Sequence, residues 1–185
     1  MPRNFGQFEQ NHPVMQTSRM PARLSYQDSC SFMQREGWLG KGEIPKLPEK
    51  PPRYDDEILG VEFFRTYIEN AQLENLTIPR TYFSRTEIRS SSFAGSDLSE
   101  SAANWNDFND VNFSYTDLSR FDFRGCNLVQ VRFHGANLSN ADLRCCGFED
   151  CDFTAADLTG AKTNQRGRRG LDTIGTTETS GGLAG

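Results

Sequence analysis

In the stretch CNLVQVRFHGANLSNADL, residues 126–143, a large apolar side chain recurs at Leu128, Phe133, Leu138 and Leu143. An interval of five fits neither the two-residue alternation of a half-buried strand nor the three-and-four spacing of a helical stripe. The interval persists far beyond this stretch. Backwards from Leu158 it passes through Phe153, Phe148, Phe123, Leu118, Phe113 and Phe108. After one exception, Ala103, it resumes at Leu98, Phe93, Ile88, Phe83, Ile78, Leu73, Ile68, Phe63 and Ile58. Such a chain is a tandem repeat, and each unit can bury its apolar side only against its neighbours, so the repeat dictates the fold.

Two further columns accompany the first. Two places before the large residue stands a mostly small or β-branched one: Ser91, Ser96, Val111, Thr116, Val131, Ala136, Ala141, Cys151, Ala156. Between them lies Asp or Asn, as at Asp97, Asn112, Asp117, Asp122, Asn127, Asn137, Asp142, Asp152 and Asp157. The pattern, clearest in GANLSNADL and TAADLTGA, resembles the pentapeptide-repeat family, motif A(D/N)LXX, over roughly residues 58–162. The resemblance implies an all-β fold, a right-handed quadrilateral β-helix with one pentapeptide per side and about five coils. The central residue and the one two before it would point inward, the rest would face water, and coils would stack at ~4.8 Å.

Four pentapeptides per coil sort the interior into columns. Phe63, Phe83, Ala103, Phe123 and Leu143 form one; Ile68, Ile88, Phe108, Leu128 and Phe148 the next. The third, Leu73, Phe93, Phe113, Phe133 and Phe153, is nearly pure phenylalanine, and the fourth, Ile78, Leu98, Leu118, Leu138 and Leu158, is aliphatic. A five-residue period alone does not require that sorting, so it independently supports the longer period. Ala103 would leave a void beside Ser101, and one coil later Phe121 stands at the usually small position. We expect Phe121 to fill that void and keep the interior close-packed.

The expected organisation is an N-terminal segment, 1–57, a β-helix, 58–163, and a disordered tail, 164–185, where the motif ends and glycine and threonine prevail. Residues 25–39 suit one short helix, with Ser25 as N-cap and Asp28 three places on. Residues 45–53, PKLPEKPPR, suit an extended linker, the rest of the segment being partly disordered. Solenoids need covered ends, and the N-terminal segment is the natural lid. For 55–70 an amphipathic helix is a second reading, since Ile58, Leu59 and Phe63 also suit helical spacing; the five-residue register favours β-helix. Without a capping helix, the last coil, with Leu143, Phe148, Phe153 and Leu158, is expected to be exposed.

No apolar run reaches the ~18 residues of a membrane span, the N-terminus lacks a secretory pattern, and five cysteines fit reduced thiols. A cytoplasmic location is therefore expected. The net charge is −5, yet residues 61–160 hold fifteen acids against eight bases, which disfavours phosphate-backbone binding. His12 and His134 lack an acidic partner at a recognisable spacing, so no catalytic residue, cofactor or metal site is assigned and the chain is read as a non-enzyme. Cys126 and Cys146 stack one coil apart, near enough for a disulfide or soft metal, but read as small hydrophobes in place of alanine; Cys145, on a corner beside Arg144, is the more reactive thiol. The Asp/Asn ladder lacks the glycine-rich loops of calcium repeats, and its family role is to hold the turn backbone. RGRR, 166–169, reads as a solvated tail.

Charge is unevenly spread over the sides. One carries Glu69, Glu87, Asp107, Asp110, Glu149 and Asp150 against Arg89; the preceding side carries Arg65, Arg85, Arg124 and Arg144 against Glu62, Asp122 and Asp142. The acidic stripe either steers a basic partner or serves solubility. Trp105 and Tyr115, at outward corners, suit protein contact. The leading reading is a non-enzymatic protein-binding scaffold or immunity-type module using a rigid β-helix face. The alternative, implied by the resemblance, is a DNA-mimic-like modulator or protector of DNA gyrase or topoisomerase IV. Either would bind a protein, not nucleic acid or membrane, and the bare last coil would permit a homodimer.

Overall fold

The structure, a computed structural model, describes residues 21–53 and 60–163. Three-residue strands recur through the repeat: β1 (Glu62–Phe64), β2 (Tyr67–Glu69), β3 (Tyr82–Ser84), β4 (Glu87–Arg89), β5 (Asp107–Asn109), β6 (Asn127–Val129) and β7 (Gly147–Glu149). β1 pairs with β3, and β2, β4, β5, β6 and β7 form one parallel sheet that aligns Ile68, Ile88, Phe108, Leu128 and Phe148. Single bridges continue the same twenty-residue offset on the other sides, as in Gln72–Ser92–Asn112–Arg132–Asp152. The result is a four-sided β-solenoid. We call the side of β1 the first and the side of β2 the second. The five strands of the second side bound four full turns, with partial turns at each end, so the expected count of about five coils is slightly high.

The sides are short because every fifth residue turns the chain through the left-handed region. Arg65, Asn70, Asn75, Arg80 and Arg85 begin the series, Trp105 and Tyr115 (both φ 58°) continue it, and Ala155 and Gly160 end it. Most corner N–H groups before the last coil find a carbonyl on the next coil; Trp105 donates to Arg124 O at 3.0 Å and Tyr115 to His134 O at 2.9 Å. The Asp/Asn ladder fastens the same turns. Oδ1 of Asp97, Asn112, Asp117, Asp122, Asn137, Asp142, Asp152 and Asp157 accepts the N–H two residues on.

Inside, Phe93, Phe113, Phe133 and Phe153 stack with ring centroids 4.7–5.6 Å apart. Phe121 is fully buried, its ring 4.0 Å from that of Phe123 and 6.4 Å from that of Phe83, at the level Ala103 leaves open. The small inward column makes its own hydrogen-bond ladder. Thr86, Ser96, Asn106 and Thr116 donate to carbonyls of Phe63, Leu73, Phe83 and Phe93. The thiols of Cys126, Cys146 and Cys151 repeat this offset toward Ala103, Phe123 and Leu128. Burial pushes their thiol pKa values up, that of Cys146 to about 12, so all three stay protonated donors.

Helix α1 (Tyr26–Arg35) covers the N-terminal end. Ser25 caps it, accepting the Asp28 N–H and donating to the Asp28 carboxylate at 2.7 Å. Ser29 Oγ accepts the Thr77 N–H at 2.8 Å, a donor that on later coils bonds a preceding coil, as Asp97 N–H bonds Leu76 O. Cys30 and Met33 complete the core, with Phe32, Trp38 and Ile44 around them. The stretch 45–53 has neither helix nor strand, yet it is held along one corner where Arg80 Nη1 donates to Pro48 O. From Gly60 onward the helical reading of 55–70 gives way to β1 and β2. At the other end Leu143 and Phe153 are buried, contrary to expectation, because they face inward against earlier coils; Phe148 and Leu158 are half-buried. Expectations for residues 1–20, 54–59 and 164–185, including His12, Ile58 and RGRR, lie outside the described residues.

Candidate protein-contact surface

The pleat of the second side turns Ile68, Ile88, Phe108, Leu128 and Phe148 inward and their strand neighbours outward. Glu69, Asp107, Glu149 and Asp150 are exposed there, and Glu87 and Asp110 are half-buried. Five strands span about 19 Å. The acids differ in their pairing. Glu87 pairs with Arg89 on its own strand, and Asp110 reaches across to Arg132 at 3.1 Å. Asp107, Glu149 and Asp150 have no partner among the described residues, and Glu69 accepts only the Tyr67 hydroxyl at 3.3 Å. The β6 level, with Asn127, Val129 and Gln130, is uncharged. The stripe thus has one carboxylate without an ion pair at the β2 end, one at the centre and two at the β7 end, rather than six equal charges.

Trp105 and Tyr115 belong to one coil but to opposite corners, so they do not meet. Trp105, 76 % exposed, borders the acidic side, and its indole lies over Gly125, where an added Cβ would come within 2.4 Å of the ring. Tyr115 lies over Gly135, and its hydroxyl bonds His134 Nε2 at 3.0 Å.

On the first side the two aspartates are each tied to an arginine. Arg124 chelates Asp122 through Nε and Nη2, and Arg144 does the same to Asp142. Burial pushes both carboxyls up, but the arginine bonds outweigh it and hold them below the ordinary carboxylate range. Glu100 bridges Arg80 at 2.7 Å and Arg120 at 3.2 Å. No cluster of histidine, cysteine and carboxylates able to hold a metal occurs among the described residues, and none of their helices is long and apolar enough to cross a membrane.

The twenty-residue register and the inward columns have a counterpart among known proteins. A family model for pentapeptide repeats matches residues 107–144 and 132–162, in eight copies. Residues 107–162 belong to the pentapeptide-repeat family. The solenoid extends further toward the N-terminus than that match, through coils whose inward small position holds Thr81, Thr86 and Asn106. The chain is similar to the crystal structure of a pentapeptide repeat protein from the Arabidopsis thaliana thylakoid lumen. The identity is 24 %, over 63 % of this chain and 83 % of that one, with a TM-score of 0.55. It is also similar to the pentapeptide repeat protein Rfr23 from the cyanobacterium Cyanothece 51142, at 18 % identity over 57 % and 85 % of the two chains, TM-score 0.48. A trypsin-treated form of QnrB1, a plasmid-mediated fluoroquinolone resistance protein, matches at 14 % identity over 62 % and 97 %, TM-score 0.23. No curated protein matches the chain.

The sequence correctly groups the acids on one side. It misses their pairing, since Asp110 and Arg132 are 22 residues apart and belong to adjacent sides. It places Trp105 at an outward corner but misses that the corner backbone is left-handed, because arginine, tryptophan and cysteine there carry none of the usual signal of positive φ.

Proposed function

We propose that this pentapeptide-repeat protein is a non-enzymatic binding scaffold, an immunity-type module that recognises one protein partner through the flat second side. The observation that carries the reading is the set of unpaired carboxylates, Glu69, Asp107, Glu149 and Asp150, on a backbone fixed by five paired strands. Free charge on a rigid surface raises the encounter rate with a complementary cationic surface and can pair with it without first breaking an existing ion pair. Glu87 and Asp110 contribute less, being already paired. Trp105 borders this surface as an apolar anchor, while Tyr115 lies outside it. The reading includes a cytoplasmic location, no cofactor, and a homodimer through the last coil, where Phe148 and Leu158 remain half-buried.

The test is an affinity pull-down from native extract beside the variant Glu69→Lys, Asp107→Lys, Glu149→Lys. These positions are on strands, away from the left-handed corners, so the fold tolerates lysine there. Retention of one protein by the wild type and its loss by the variant supports the reading; equal retention refutes it. If that protein is DNA gyrase or topoisomerase IV, a supercoiling assay decides for the DNA-mimic alternative.

A further inference from the structure

The corner between the first and second sides concentrates features that neither side explains. Phe64 and Tyr67 flank it at the first coil and are about half exposed, and Trp105 is 76 % exposed two coils on. Arg65, Arg85 and Trp105 are successive residues of this corner column, all at positive φ. Arg65 lies over the Phe64 ring at 5.1 Å, and no carboxylate among the described residues pairs with it. Arg85 is exposed and has no partner among the described residues. Two guanidinium-bearing residues one strand spacing apart, without a carboxylate, repel each other unless an anion joins them. Below them the Trp105 indole roofs a hollow of about 630 Å³ lined by Asn104, Arg124, Arg144 and Cys145.

Exposed Trp and Tyr with unpaired Arg is the composition of a protein hot spot. A single nucleic-acid strand would also stack on such rings. Here, however, its phosphates would run beside Glu69 and Asp107, and Arg124 and Arg144 are already tied to Asp122 and Asp142. We propose that this corner docks an extended segment of a partner protein, with an acidic side chain on Arg65 and Arg85 and a large apolar one in the hollow beside Trp105. The spacing follows from the register. Two coils separate Arg65 from Trp105, about 10 Å, and the indole leans a further coil toward Gly125; an extended chain advances ~3.3 Å per residue. The apolar residue therefore lies three or four positions from the acidic one. The proposal rests on the reading that the chain binds a protein, but not on the second side being the surface.

The test is to pan random dodecapeptides against the full chain, then measure the affinity of the selected peptides for wild type, Arg85→Ala and Trp105→Ala. Circular dichroism should be unchanged in both variants, whose altered side chains are exposed. Selected peptides should carry aspartate or glutamate three or four positions from a Phe, Leu, Ile or Trp, and should bind either variant at least about tenfold more weakly. Peptides that are basic, that lack the spacing, or that bind both variants equally well overturn the proposal. So does an oligo-thymidine that displaces them and binds more tightly. If the corner fails while the pull-down partner still depends on Glu69, Asp107 and Glu149, only this inference falls. If the corner holds while that triple variant keeps its partner, the second side is the part that falls.

Discussion

Replacing Phe121 by alanine tests how the interior is filled. The ring is fully buried, stacks on Phe123 at 4.0 Å, and occupies the level where Ala103 replaces a large residue. The walls cannot collapse onto the vacancy, because Asp122 N–H bonds Ser101 O at 2.9 Å and Asp142 N–H bonds Phe121 O at 2.8 Å, fixing the coil separation. Truncating a buried Phe costs about 3–5 kcal/mol, and an uncollapsed cavity places this site toward the upper end. With a urea m-value of ~2 kcal/mol/M, the unfolding midpoint should fall by roughly 1.5–2.5 M. Ala103→Phe alone should also destabilise, by about 1–3 kcal/mol, since Phe121 already fills that space. Combined, the two changes continue the aromatic column of Phe63 and Phe83 through the next coil, and the double variant should be more stable than Phe121→Ala alone. A loss below about 1 kcal/mol for Phe121→Ala, or additive losses in the double variant, would refute the exchange of space between the two positions.

Gly125→Ala combines a φ of +74° with a Cβ that meets the Trp105 ring, so it should cost about 1–2 kcal/mol and shift the indole fluorescence; removing the ring by Trp105→Ala should relieve the clash and leave only the backbone cost. Hydrogen bonds from the Thr154 and Thr159 side chains and N–H groups lower the pKa of Asp152 and Asp157. Their stabilisation is therefore present above the unfolded carboxylate value of ~3.9 and is lost as pH falls through the lower folded value. Urea midpoints should drop below about pH 4, and Asp157→Asn, copying the role of Asn137, should weaken that dependence; a midpoint that rises on acidification contradicts this. A thiol reagent should label exposed Cys145 in the native protein but reach Cys126 and Cys146 only on unfolding. Rapid native labelling of Cys126 would mean its side chain does not point inward.

Much of the fold was legible because the large inward positions are set by side-chain volume and a fixed period. The columns of Phe and Leu, the Phe121 exchange and the capping pair Ser25–Asp28 all depend on local or strictly periodic information. What periodicity does not encode is lateral. Ion pairs between adjacent sides, such as Arg132 with Asp110, depend on how far a side chain reaches around a corner. The path of 45–53, pinned by Pro48 against Gly60 and Arg80, follows from irregular contacts that no pattern announces. The acidic side was therefore visible as a group, but not as the smaller set of carboxylates left free to bind.

The most direct measurement is the affinity of the retained partner for the wild type and for Glu69→Lys, Asp107→Lys, Glu149→Lys as salt is raised. The account predicts wild-type affinity that falls with salt, and a variant at least about tenfold weaker at low salt whose deficit shrinks as charge is screened. An affinity indifferent to both salt and charge reversal would contradict it.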